Sequence, residues 1–487
     1  MAEQTLKEKT AKGLFWGGIS NGVQQVLGVL IGIVLLRNLS PGDYGMVGML
    51  AIFTGIASTI QESGFTAALT NRPEFKAEDY NAVFWFNVFV GSGIYVILFF
   101  CAPLIAKFYN QPDLVLLSRV LFLSIVIGAL GIAHNAVLFR KLMVKERAKI
   151  DIISIALAGI VGIYLAVNGY GYWALAIQTL VFSSFGTILR WIFSPWHPTL
   201  TFNFTPVKEM FGFGIIMLLS SFVSQVQVNV FSVLLGRFYS KVDVGYYSQG
   251  TKWGGMGSQV LNGMVVSVAQ PVFVETSIDK YKQVVVFRKM IRFIALVSFP
   301  IMLGIAFISR NFIELINTEW LPCVPVLQMY CIWGAVSPIL VLYNQIIISY
   351  SKSNIYFMCN LIFAIVQIGL AFLVLSKGLY WIAFTNIVAF FLFLLVWHVY
   401  VSRIIPVRLI DIIRDTIFYF ILAVLDFILT YYLLLLLKVE NQFLLIICKI
   451  VISSCVYILV LWKAKSIIFR ECLLYVKNRI CASKLFV

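Results

Sequence analysis

The chain has 487 residues, with 37 lysines and arginines against 21 aspartates and glutamates, a formal net charge of +16. Hydrophobic residues make up 61% and charged residues only 12%, and the mean hydropathy is +0.94. These values exclude an ordinary soluble domain, and they turn the basic excess from a nucleic-acid signal into a question of membrane topology.

A bilayer crossing needs about 20 mostly apolar residues. Such runs fall at about 13–36, 43–62, 81–106, 114–138, 150–168, 171–193, 211–236, 244–270, 291–309, 324–349, 354–376, 379–401, 414–437 and 442–462, some fourteen in all. The pair 43–62 and 244–270 is the least hydrophobic. The first run is too long for a signal-peptide core and lacks a small-residue cleavage site, so it is expected to stay as the first helix. The predicted fold class is therefore an all-α integral membrane protein.

Lysine and arginine set the orientation. With the N-terminus in the cytoplasm, the clusters Lys7–Lys12, Arg140–Lys149, Lys280–Arg292, Arg403–Arg414 and Lys463–Lys484 lie inside, as do Arg72, Lys76, Arg190, Lys208 and Lys352. The outside receives Arg37, Lys107, Arg237, Lys241, Arg310, Lys377 and Lys438, about 7 basic residues against about 27 inside. That bias calls for an even number of spans and two cytoplasmic termini.

The stretch from Phe213 to Lys252 is apolar yet carries Ser220, Ser224, Gln225, Gln227, Asn229 and Ser232 at helical spacing. Hydrocarbon gives such groups no partner, so the stripe must face other helices or water. One serine or glutamine is ordinary helix–helix glue, but a whole stripe favours a wet cavity. An offset of 200 residues lays Ser20, Val23, Gln25, Val26, Leu35, Arg37, Ser40, Asp43 and Gly45 on Ser220, Val223, Gln225, Val226, Leu235, Arg237, Ser240, Asp243 and Gly245 without a gap. The chain thus reads as a duplication, and paired halves with polar first helices make a transporter plan with its site where they meet. The implied lobes are 1–198 and 199–403, joined by the linker Ser194–Pro206, followed by 404–487 as a last helix pair and cytoplasmic tail.

Charges inside spans are costly and are candidate functional sites. Arg119 sits in the fourth span, Lys252 in the eighth beside Gln249 and Trp253, and Glu62 at the end of the second. Asp426 and Lys449 lie in the last pair, where an internal ion pair or snorkelling toward an interface is the plainer expectation. Arg119 and Lys252, joined by Gln25, Gln225, Gln227, Asn229, Gln249 and Trp253, would make a cationic, amide-lined chamber. Such a chamber suits a diphosphate bearing sugars, with cations for phosphate and amides and aromatic faces for hydroxyls and rings. Glu62 is the carboxylate placed for ion coupling. The eight cysteines show no paired spacing and the three histidines no cluster, so neither a disulfide nor a metal is assigned. There is no phosphate-binding glycine loop, no zinc-protease motif and no serine–histidine–aspartate set, and no cofactor is expected beyond a proton or sodium gradient.

The run Gln61-Glu-Ser-Gly-Phe-Thr-Ala-Ala-Leu-Thr-Asn-Arg-Pro-Glu-Phe75 resembles Wzx-type lipopolysaccharide and exopolysaccharide flippases, as does Asp79-Tyr-Asn-Ala-Val-Phe-Trp-Phe-Asn87. Leu35-Leu-Arg-Asn-Leu-Ser-Pro-Gly-Asp-Tyr-Gly45, Gln270-Pro271 and Thr318-Glu-Trp-Leu-Pro-Cys-Val-Pro-Val-Leu-Gln328 carry the same likeness, over residues 7 to 400. It is nearest the colanic-acid-exporter-like branch of the multidrug/oligosaccharidyl-lipid/polysaccharide exporter superfamily. The resemblance implies two six-helix lobes in a V around a central cavity. It also implies alternating access that carries undecaprenyl-diphosphate-linked oligosaccharide, such as an O-antigen or exopolysaccharide unit, to the periplasmic leaflet of a bacterial inner membrane. A polysaccharide polymerase and export machinery would be the downstream partners, and no nucleic acid is involved. Three rival readings are weighed against it: a multidrug antiporter of the same superfamily, a membrane glycosyltransferase or polymerase, and a scaffold. The first conflicts with a cationic chamber, the second lacks a long outside loop, and the third predicts silent cavity substitutions.

Overall fold

A computed structural model describes residues 6–62, 77–202, 205–350, 352–437, 441–466, 468–471 and 474. Hydrocarbon forces each spanning segment to satisfy its own backbone, and the described residues accordingly form helices and no strands. The first repeat supplies α1 (Leu6–Asn38), α2 (Pro41–Glu62), α3 (Ala77–Tyr109), α4 (Leu114–Leu121), α5 (Leu123–Arg140), α6 (Val144–Val167) and α7 (Tyr172–Phe193). The second supplies α8 (Thr205–Phe238), α9 (Lys241–Glu275), α10 (Lys280–Ile316), α11 (Val324–Ser349), α12 (Ser353–Leu373) and α13 (Leu379–Ser402). The last pair is α14 (Leu409–Leu437) and α15 (Gln442–Lys463).

Helices α4 and α5 form one span with a break at Phe122, so fourteen long helical segments match the fourteen expected. Among the described residues thirteen of them are long and apolar enough to cross a membrane. The exception is α9, a helix of 35 residues that carries Lys241, Asp243, Gln249, Lys252, Gln259 and Asn262. Pro271, Pro300 and Pro338 sit inside α9, α10 and α11 without ending them.

The duplication is visible atom for atom at the start of the second helix of each repeat. The Asp43 carboxylate accepts from the Ser40 backbone N–H (3.0 Å) and hydroxyl (2.7 Å), while the Ser40 hydroxyl accepts from the Asp43 N–H (3.3 Å). Ser240 and Asp243 repeat the box at 3.2, 2.6 and 3.2 Å. Each box satisfies backbone groups that a helix N-terminus leaves open. The two boxed ends also cross. A β-carbon at Gly45 would collide with the Lys241 carbonyl oxygen, and one at Gly245 with the Pro41 carbonyl oxygen. The same 200-residue offset exchanges these two contacts, a local two-fold relation that only glycine permits.

The chain divides into two compact units, residues 1–248 and 249–487. The division falls within α9 and not in the linker, because α8 packs along α2 inside the first unit. In that unit α6 also packs on α1 and α7, and α3 on α5. Linker residues 195–202 are exposed or half-buried and are pinned to α3. Asn81 accepts from the Thr199 N–H (2.8 Å), Trp85 Nε1 donates to the Thr199 carbonyl (2.8 Å), and the Trp85 and Phe202 rings are 4.9 Å apart. In the second unit α10 packs on α11 and α14, α11 on α13, and α14 on α15. Its core gathers Phe273, Phe287, Tyr343 and Trp397, with the Tyr343 hydroxyl 2.9 Å from His398 Nδ1.

Candidate functional site

The first unit has an open cavity of about 870 Å³ lined by five helices, with polar side chains among the apolar ones on its wall. Each helix contributes one face, and the spacing of its residues says why. Thr54, Ser58 and Gln61 recur along α2, Arg147, Asp151 and Ser154 along α6, and Ser183, Gly186 and Arg190 along α7. Gln225 and Asn229 are one turn apart on α8, and Ser124, Gly128 and Asn135 follow α5. These offsets of three, four and seven residues place each set on a single helical stripe.

Several of these side chains hold the walls together. Gln61, 4% exposed, donates from Nε2 to the Ile125 carbonyl at 3.0 Å and ties α2 to α5. On α8, Asn229 Nδ2 donates to the Gln225 carbonyl (2.9 Å) and to Gln225 Oε1 (3.2 Å), which fixes both amides. Gly55 opens the space on α2 into which Gln225 Oε1 reaches, since a β-carbon there would lie 2.5 Å from that oxygen. Behind the wall, Thr187 Oγ1 donates to the Ile127 carbonyl (2.9 Å) and Trp191 Nε1 to the Leu130 carbonyl (2.8 Å), so α7 is clamped to α5 beside Arg190.

Two arginines and one aspartate supply the charge. Asp151 is within electrostatic reach of both Arg147 and Arg190, and the Arg147 guanidinium also lies 5.0 Å over the Phe139 ring. The ionic groups lining the cavity therefore sum to a positive charge, with hydroxyls and carboxamides around them. Guanidinium groups can bind phosphate oxygens in pairs, and the amides and hydroxyls offer donors and acceptors to sugar hydroxyls. The Ser154 hydroxyl is buried and has no hydrogen-bond partner among the described residues.

Of the site residues expected from sequence, Gln225 and Asn229 line this cavity, and Gln25, Arg119, Gln227, Gln249, Lys252 and Trp253 are not on its wall. Gln227 shares their helix but is not among the lining residues, and Gln25 is half-buried on α1. Arg119 turns to α3, where its Nε donates to the Phe99 carbonyl at 3.4 Å and its guanidinium stacks 4.2 Å from the Phe99 ring. Lys252, Gln249 and Trp253 belong to the second unit. There Lys252 is exposed, while Gln249 and Trp253 are buried against each other, the indole donating to Gln249 Oε1 at 3.1 Å. Glu62 ends α2 next to Gln61, and its side chain lies outside the described residues, as do Ser63–Phe75 of the family-like run. Arg147 and Arg190 entered the sequence reading only as cytoplasmic topology charges. The stripe Arg147, Asp151, Ser154 was the signal that would have promoted them.

Comparison with known proteins bears on this geometry. A family model described as "Polysaccharide biosynthesis protein" matches residues 34–325. The teichuronic acid biosynthesis protein TuaB of Bacillus subtilis (strain 168) is 26% identical over 72% of this chain and 74% of its own. The lipopolysaccharide biosynthesis protein WzxC of Escherichia coli (strain K12) is 27% identical over 68% of each chain. Among solved structures, the lipid II flippase MurJ in an inward closed conformation superimposes with a TM-score of 0.76 over 94% of this chain and 99% of its own, at 16% identity. That last likeness shows a shared helical fold.

Proposed function

Because this multi-pass membrane protein belongs to the polysaccharide biosynthesis protein family, we propose that it moves lipid-linked oligosaccharide units across a bacterial inner membrane as a flippase. The observation that carries this reading is the arginine-bearing polar cavity inside an otherwise apolar helical unit. Arg147 and Arg190 are half-buried near the ends of α6 and α7, and guanidinium groups and amides facing a cavity are costly to desolvate unless a polar ligand or water meets them. A diphosphate joined to sugars meets both kinds of group, and its polyprenyl tail can stay in lipid.

The arginines also indicate the side of entry. By the positive-inside bias, the basic residues of the α5–α6 turn and the end of α7 support a cytoplasmic side for both termini and this end of the cavity. The diphosphate enters there, and Thr54, Gln225 and Asn229 address the sugars. Release to the periplasmic leaflet follows exchange between inward and outward arrangements, and a polysaccharide polymerase then takes the unit. A proton or sodium gradient drives the cycle, and Glu62, in sequence at the end of α2, is the carboxylate we assign to coupling it. A cavity with two guanidinium groups and one carboxylate disfavours cationic drugs, which sets the antiporter reading second. The chain acts as a transporter, and no covalent step is assigned to it.

Export tests the reading. With Arg147→Ala or Arg190→Ala, at normal membrane levels, the lipid-linked unit should accumulate on the cytoplasmic leaflet and polymer should fall at least tenfold. Wild-type polymer in both variants would remove the cavity from transport.

A further inference from the structure

A second cavity, of about 400 Å³, lies in the second unit between α10, α14 and α15. Of the two plain expectations for Asp426 and Lys449, an ion pair or snorkelling, the structure does not form the ion pair. The Lys449 ammonium is engaged on α10, donating to Asn311 Oδ1 at 2.6 Å and the Phe307 carbonyl at 3.3 Å while lying 4.4 Å from the Phe307 ring. Asp426 borders the same cavity, is 3% exposed, and has no hydrogen-bond partner for either carboxylate oxygen among the described residues. The hydroxyl of Thr430, one turn along α14, is also fully buried and unpartnered among them. A bare carboxylate in this position carries the full desolvation cost of its charge with nothing to offset it.

We propose that Asp426 is a membrane-embedded proton-binding site. Its carboxylate takes a proton from the aqueous phase and is held as the neutral acid while Lys449 stays on Asn311. It returns the proton to water when the ammonium swings across the cavity and becomes its counter-ion. The groups facing Asp426 support a proton over a metal cation. Lys449 and Tyr457 of α15 border the cavity, and the Tyr457 hydroxyl is committed to the Leu296 carbonyl at 3.1 Å. The facing stretch of α10, Pro300–Ile308, has no ionisable side chain, and Arg310 and Glu314 beyond it pair with each other at 3.0 Å. On α14, two turns before Asp426, the Tyr419 hydroxyl is 3.2 Å from that of Ser466. A hard cation would take roughly six oxygen ligands, whereas here an ammonium shares the space, and besides Asp426 the lining side chains bring the hydroxyls of Ser453, Ser454 and Tyr457, with Ser453 bound to the Lys449 carbonyl at 2.7 Å. The site itself is independent of the flippase reading, on which only the use made of the proton rests.

Infrared difference spectroscopy on the full-length protein in lipid nanodiscs, cycled between buffers of different pH, tests this. The protonated-carboxyl stretching band should be present at neutral pH, vanish in Asp426→Asn, return shifted in Asp426→Glu, and convert to carboxylate bands in alkaline buffer. In Lys449→Met, which lacks the counter-ion, the band should survive to buffer about one pH unit more alkaline. A band untouched by Asp426→Asn, or one that never titrates, overturns the proposal. Should Asp426→Asn fail to insert, the glutamate shift and the Lys449→Met displacement decide it. The readout needs no substrate, so its failure would leave the transport reading standing, and a failure of export would leave the band.

Discussion

Two clusters of half-buried charge set arginine in different surroundings. In the second unit Arg288 binds Asp415 through Nε at 2.7 Å and Nη2 at 3.2 Å, and Arg292 Nε adds a bond of 2.8 Å to the same carboxylate. Asp411 stands 3.7 Å from Arg288 Nη1, and the whole cluster fastens α14 to α10. In the first unit Arg147 and Arg190 instead border open volume, with Asp151, amides and hydroxyls around them. One set of guanidinium groups is consumed in holding a helix pair to its neighbour. The other lines a cavity, beside Asp151, amides and hydroxyls, that a ligand can enter. Burial of charge alone therefore does not mark a site, and open volume beside the charge does.

Breaking the first cluster should cost stability and spare transport. Asp415→Ala leaves two arginines without their carboxylate, an effect of about 3–5 kcal/mol for a fully buried pair. The lower end applies here, because the Arg288 and Arg292 side chains remain 28% and 34% exposed. Thermal unfolding in nanodiscs should show that loss, with transport per folded molecule unchanged. Arg147→Ala should do the reverse, losing transport with little change in melting.

The crossing of the repeats comes next in size. Gly45→Ala and Gly245→Ala each place a methyl group on a backbone carbonyl, and overpacking of this kind costs about 1–3 kcal/mol or more. Equal losses in the two variants would support the two-fold relation, and unequal ones would break it. Gln61→Leu removes the bond to the Ile125 carbonyl inside the cavity wall, at about 1–3 kcal/mol of stability, together with a partial loss of export. The smallest effect belongs to the caps. Ser40→Ala and Ser240→Ala should each cost about 1 kcal/mol, read as matched small drops in unfolding temperature.

Much of this was legible in sequence because it repeats or follows from composition. The helical spans, the duplication, and Ser40 with Asp43 as the twin of Ser240 with Asp243 needed only hydropathy and an offset. Gln225 and Asn229 were legible because amides in an apolar helix stand out. Arg147 and Arg190 were hidden by their own topological value, since an arginine near a helix end satisfies the positive-inside bias whether or not it lines a cavity. Arg119 lies off this cavity for a reason the sequence hides. Its depth marked it out, but its partner Phe99 lies 20 residues away on α3, a contact that no local pattern announces. Asp426 and Lys449 have opposite charges and similar depth, yet Asn311 competes for the lysine.

The most direct measurement is binding of an undecaprenyl-diphosphate-linked oligosaccharide to the purified protein in nanodiscs, beside the same glycan on an uncharged lipid. The account predicts that the diphosphate form binds more tightly and that Arg147→Ala and Arg190→Ala each weaken it about 10- to 100-fold, at unchanged melting temperature. Equal affinity for the two lipids, or no change in either variant, would contradict it.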